Sequence, residues 1–191
     1  HEPRLKNMVY RRLGDIVLVL YAVIWDKPHC LITVGIGKGM VLKWEMDEED
    51  VIQDAFVNTQ TIFPPQVEDW TFGCWESGYG KQVFLNPLKP LPLVGDYQGY
   101  SLTSRRGDNG AVAVCYPGVA RNISALFADD FYIMFTSVRE AMIHSMKGID
   151  PAFMRTSLVS INQFRRSEEF LTNEIYCYCR QKEEFRMIAE H

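Results

Sequence analysis

The stretch Gly110–Ala128, GAVAVCYPGVARNISALFA, places a thiol, Cys115, where a strand is expected to end and a helix to begin. A thiol at a helix N-terminus can be acidified, because its thiolate faces unpaired backbone N–H groups. A cysteine nucleophile also needs a base, usually a histidine. The internal histidines are His29 and His144; His144 falls on the next expected strand or turn, where Asp129 or Asp130 could orient it. Ser137 and Glu140 lie close by in sequence. Cys115, His144, Ser137 and Glu140 together define one functional alternative, a small thiol- or Ser/Glu-dependent hydrolase-like enzyme. Against it, Cys115 ends the apolar run AVAVC, and cysteine is among the most frequently buried residue types. The local sequence Val114-Cys115-Tyr116-Pro117-Gly118 also lacks a Gly-x-Cys-x-Gly elbow. A packed thiol behaving as a small hydrophobe is the reading we favour.

Other motifs reduce to simpler physics. Cys177-Tyr178-Cys179 on a strand sets both thiols on one face and Tyr176 and Tyr178 on the other. A zinc site needs about four ligands, and no second Cys/His pair accompanies these two. We therefore expect no metal and no cofactor. Gly35–Gly39, GIGKG, follows a strand but matches neither phosphate-loop pattern, and no helix is expected to open directly after it. Arg106-Gly107-Asp108 belongs to the turn RRGDNG, whose Gly-Asp-Asn-Gly is turn chemistry. The arginine pairs 11–12, 105–106 and 165–166 are scattered and outnumbered by acids, which makes nucleic acid an improbable partner.

Aromatic residues suggest binding instead. Between Pro64 and Tyr100 the periodic signal fails, and five of the nine prolines fall there. Trp70, Phe72, Trp75 and Tyr79 punctuate this stretch, and we take these four as candidate binding residues for a protein partner. Irregular segments of such length inside a compact domain are usually functional, mobile or hiding short strands.

Positioning these groups requires a framework. Leu13–Trp25 and Cys30–Ile36 read as two strands of a hairpin around Asp26-Lys27-Pro28-His29, with IVLVLYAVIW as a buried strand. Residues 47–59 read as a helix with an acidic first turn, burying Val51, Ile52, Ala55 and Phe56. YSLTS and AVAVCY read as strands. A helix starts at Pro117 with the stripe Val119, Ile123 and Leu126. Phe131–Thr136 and Ala141–Met146 form a possible strand pair, Asp150-Pro151 starts a third helix with the stripe Met154, Leu158 and Ile161, and IYCYC and EFRMI end the chain as strands. The expected class is α+β: one domain over residues 1–191, with a largely antiparallel or mixed sheet, about three helices and an irregular segment at 64–99.

Composition sets the outer bounds. The 191 residues are 47% hydrophobic, with a formal net charge of −4, so there is no general attraction to phosphate backbones or anionic lipid. The longest apolar run is too short for a membrane helix. Five cysteines, an odd number without framework spacing, suggest reduced thiols and a cytoplasmic location. Oligomeric state leaves no signal in the sequence. The sequence opens on His1 rather than Met, which leaves room for an upstream region.

Two segments resemble a known family. Ile32–Pro65, with Trp44, Ala55, Asn58-Thr59 and Phe63-Pro64, is similar to the bacterial family of unknown function DUF5688, common in anaerobic Gram-positive gut bacteria. So is Tyr100–Ile143, through Gly110-Ala111, Tyr116-Pro117-Gly118-Val119, Asp130-Phe131-Tyr132-Ile133, Ser137 and Glu140, continuing weakly to IYCYCR. The resemblance covers over half the chain. It implies no assigned activity and hence no catalytic residue, together with an additional N-terminal region, so that this chain would be the C-terminal part of a longer protein. Two departures matter. Arg139 stands where the family pattern carries a histidine, which weakens a His-dependent site there. Cys115 stands where the pattern is aliphatic, which agrees with packing.

Overall fold

A computed structural model describes residues 5–27, 30–69, 83–84, 99–105, 107 and 109–188. By its internal packing the chain divides into two compact units, His1–Asn58 and Thr59–His191.

The first unit is built from four strands and two helices. Strands β1 (Tyr10–Leu13) and β2 (Ile16–Val19) form a tight antiparallel hairpin, which turns through Gly14 at a φ of 57°. Glycine reaches such left-handed angles at no steric cost. Strands β3 (Tyr21–Lys27) and β4 (Cys30–Gly35) form a second antiparallel hairpin. The expected single strand Leu13–Trp25 is therefore broken. Leu20 leaves β2 and turns inward, where Val9, Leu20 and Ile36 close a three-way ring of backbone bonds of 2.9–3.3 Å. This ring joins the two hairpins and seeds the core. Val41 from helix α1 (Lys38–Lys43), which opens within Gly35–Gly39 where no helix was expected, and Val51 and Ile52 from helix α2 (Glu48–Ile62) complete it, with Ala22, Ala55 and Phe56 packed alongside. The apolar face expected for residues 47–59 is the one that is buried, and the boundary between the units falls within α2.

The second unit is centred on a seven-stranded sheet of order β11-β10-β8-β9-β7-β5-β6, antiparallel at every pairing. Its strands are β5 (Pro65–Asp69), β6 (Val83–Phe84), β7 (Gly99–Ser104), β8 (Phe131–Ser137), β9 (Glu140–Ser145), β10 (Ile175–Cys179) and β11 (Glu184–Met187). Helix α3 (Val119–Phe127) covers one face. Its Phe127 ring meets Tyr100 at 5.8 Å and Phe131 at 6.1 Å, and the aromatic row continues through Tyr178 to Phe185. Helix α4 (Pro151–Asn162) covers the other face, where Met154 and Leu158 pack on Met134, Met142 and Ile175. Asp150 caps α4 as its position before Pro151 suggests, accepting the Ala152 N–H at 2.9 Å. Three α-helices of nine residues or more on antiparallel strands make the chain α+β.

Two expectations are corrected in this unit. Gly110–Cys115 is a 3-10 helix, not a strand. Short apolar runs do not distinguish a strand from a buried helical turn by periodicity. The deciding feature is local: Asn109 enters with a φ of 48°, and Ala111 donates its N–H to Val138 O at 3.2 Å, so the segment docks on the β8–β9 turn. Pro117 precedes α3 rather than occupying its first turn; Gly118, at a φ of 78°, is the N-cap.

Candidate functional site

Each chemical group singled out from the sequence can now be placed. Cys115 is half-buried at the end of the 3-10 helix, which packs against α3. Burial, and then Cys115 itself, push the neighbouring Tyr116 phenol well above its ordinary range. His144 lies elsewhere. Period two along β9 sets it on the same face as Met142, the face covered by α4. Gly99 is paired directly with it, and a Cβ on Gly99 would come within 2.7 Å of the imidazole Nδ1. The next residue, Tyr100, points the other way, onto Phe127 of α3. Cys115 thus lies at the end of the 3-10 helix, and His144 on the α4-covered face of β9. Burial lowers the His144 pKa to about 4, so its imidazole is neutral at pH 7.

The other candidates serve local structure. Asp129 Oδ1 accepts the Asp130 N–H at 2.9 Å, and Asp130 Oδ1 accepts the Arg180 N–H at 2.8 Å. Ser137 is buried, and its Oγ accepts the Arg139 N–H at 3.1 Å across the β8–β9 turn. Glu140 is the hub of a polar cluster. Its Oε1 accepts from Thr136 Oγ1 at 3.2 Å and from Arg165 at 3.4 Å, while Oε2 accepts from Ser101 Oγ at 3.4 Å. Arg139 pairs with Glu169 at 3.5 Å, and Val138 donates its N–H to Glu169 O at 3.1 Å. Glu140, Arg139 and Val138 therefore fasten the segment after α4 to the β8–β9 turn, and Ser137 braces the turn itself. Burial, and then the Asp130 charge, raise the Cys177 thiol, which keeps it protonated. No disulfide and no group of three or more metal-ligating side chains is found among the described residues. The candidate binding residues Trp70, Phe72, Trp75 and Tyr79 lie outside the described residues.

One surface was not anticipated. The β3–β4 hairpin exposes Tyr21, Val23, Ile24 (63%), Trp25 (48%), Ile32 (52%) and Val34 (45%). The run IVLVLYAVIW was expected to be a buried strand; its second half is instead largely exposed. Register explains how these side chains gather. Ala22 pairs with Val34, and after a register shift between Val23 and Trp25, Trp25 pairs with Ile32. Trp25, Ile32 and Val34 consequently share one face, and the Lys27 amino group lies 4.8 Å from the Trp25 ring centroid. An unbroken apolar run looks alike whether it is buried or offered to a partner, so the pattern alone gave no warning. The one sequence cue is the uncharged run CLITVG directly after Asp26-Lys27-Pro28-His29.

Fold and surface thus define an α+β protein with an antiparallel sheet, a locally satisfied polar cluster and one exposed apolar hairpin. The chain belongs to a family of unknown function, DUF5688, whose model matches residues 2–180. No curated protein and no solved structure matches it. Among the described residues, no helix is long and apolar enough to cross a membrane.

Proposed function

We propose that this chain is a cytoplasmic binding domain that works by contact rather than catalysis, and that the β3–β4 hairpin is its docking surface. The single observation that carries this reading is the cluster of exposed apolar side chains on the hairpin. Contiguous exposed apolar patches mark interaction sites, whereas singly scattered ones carry no such meaning. The engagement of Ser137 Oγ with the Arg139 N–H, and of Glu140 with Ser101, Thr136 and Arg165, supports the non-catalytic part.

The test is capture of partners by the full chain, comparing wild type with Ile24→Ser/Trp25→Ser. Loss of the captured partner, with the circular dichroism spectrum unchanged, is the expected result. An unchanged partner set would overturn the assignment of the hairpin. The enzymatic alternative is checked by thiol labelling across pH: Cys115 is expected to react no faster than an ordinary thiol below pH 7, and rapid modification there would revive a nucleophilic role.

A further inference from the structure

We infer that the outer edge of β4 is a homotypic interface, at which two copies of this chain pair their β4 strands antiparallel about a two-fold axis. The inference rests on the hairpin being a contact surface and names what it contacts. β3 and β4 form a ribbon of only two strands. Ala22 packs on the helical core, but most of the ribbon is exposed, and a two-stranded ribbon without further packing is marginal in water. Pairing through β4 would turn two ribbons into one four-stranded sheet.

The two edges of the ribbon differ in what they allow. β3 is interrupted by the register shift between Val23 and Trp25, and its end carries Asp26 and Lys27. Bulges and edge charges are the devices by which natural sheets block edge pairing. β4 has neither: its six residues, CLITVG, are uncharged, and its pairing with β3 skips none of them. Among the described residues no strand occupies its outer edge.

Charge then selects the occupant. Like charges directly opposite one another destabilise a strand pair, and opposite charges stabilise it. A charged extended segment would find no counter-charge along this edge, whereas an uncharged one meets no penalty in any register. β4 is itself such a strand, and in a two-fold interface each contact is made twice, residue i to j and j to i. With the axis on Ile32, the two Ile32 side chains stand opposite each other, and Ile32 and Val34 of both copies come onto one continuous apolar face beside Trp25.

Sedimentation velocity on the full chain, over a range of concentrations, tests this. Wild type is expected to approach twice the 22.1 kDa mass of the chain. Ile32→Lys and Ile32→Glu are each expected to sediment as monomers with unchanged circular dichroism, because like charges then meet across the axis. An equimolar mixture of the two variants is expected to recover the dimer, which a misfolded variant could not do. A wild type that stays monomeric at every attainable concentration would overturn the inference, as would a dimer that survives in both charge variants. A monomeric wild type whose Ile24→Ser/Trp25→Ser variant still loses a foreign partner would sink homotypic pairing alone and leave the docking surface standing.

Discussion

Gly110 leaves no room for a side chain. A Cβ there would lie 2.1 Å from Arg139 O and 2.6 Å from Ser104 N, both backbone atoms that cannot swing aside. Overpacking of this kind costs about 1–3 kcal/mol, so Gly110→Ala is expected to lower the urea midpoint by a corresponding amount. His144 makes a prediction about pH. Its folded pKa, about 4, lies below the ordinary value of 6.5. Between these two values the unfolded chain holds a proton that the folded chain does not, so stability falls as pH drops from 6.5 toward 4. The loss approaches about 3 kcal/mol at most, and it should flatten in His144→Phe when unfolding is compared at pH 7 and pH 4.5. At this scale the sequence was informative about type and silent about partners. Cys115 is half-buried at the end of an apolar run, where a thiol usually packs as a small hydrophobe. The roles of Glu140 did not follow, because Ser101 and Arg165 lie 39 and 25 residues away along the chain.

Among the elements, those with chemical punctuation were legible. Asp150-Pro151 announces α4, and Asp150→Ala should cost about 1 kcal/mol by removing the cap on Ala152 N–H. The C-terminus of α3 carries a correctable defect. Ala128 is held at a φ of 55°, a left-handed conformation that costs a residue with a Cβ about 1–2 kcal/mol. Ala128→Gly is expected to raise the unfolding free energy by roughly 1 kcal/mol, as measured by chemical denaturation. The elements that were misread are those whose shape is set from outside. Nothing local in AVAVC distinguishes a strand from the 3-10 helix that the β8–β9 turn receives. The break at Leu20 is likewise imposed by its backbone bonds to Val9 and Ile36, remote partners that no window of sequence contains.

Across the whole molecule, apolar side chains of similar size have unequal importance for stability. Leu158 is fully buried between α4 and the sheet, and Leu158→Ala should cost about 2–5 kcal/mol. Trp25→Ser, on the exposed hairpin, should change the unfolding free energy of the isolated chain by about 0.5 kcal/mol or less. Parallel denaturation curves for the two variants would test this contrast between a residue kept for folding and one kept for contact. The strand order of the large sheet also has a consequence in time. β8 and β9 are neighbours in sequence and in space, but the other edge of β8 is filled by β10, which leaves the ribosome long after both. At roughly 5–20 residues per second, a nascent chain spends some seconds with that edge of Phe131–Ser137 open to any passing strand. A chain halted just before Ile175 should therefore scatter light and recruit chaperones during translation, and one extended through Met187 should not.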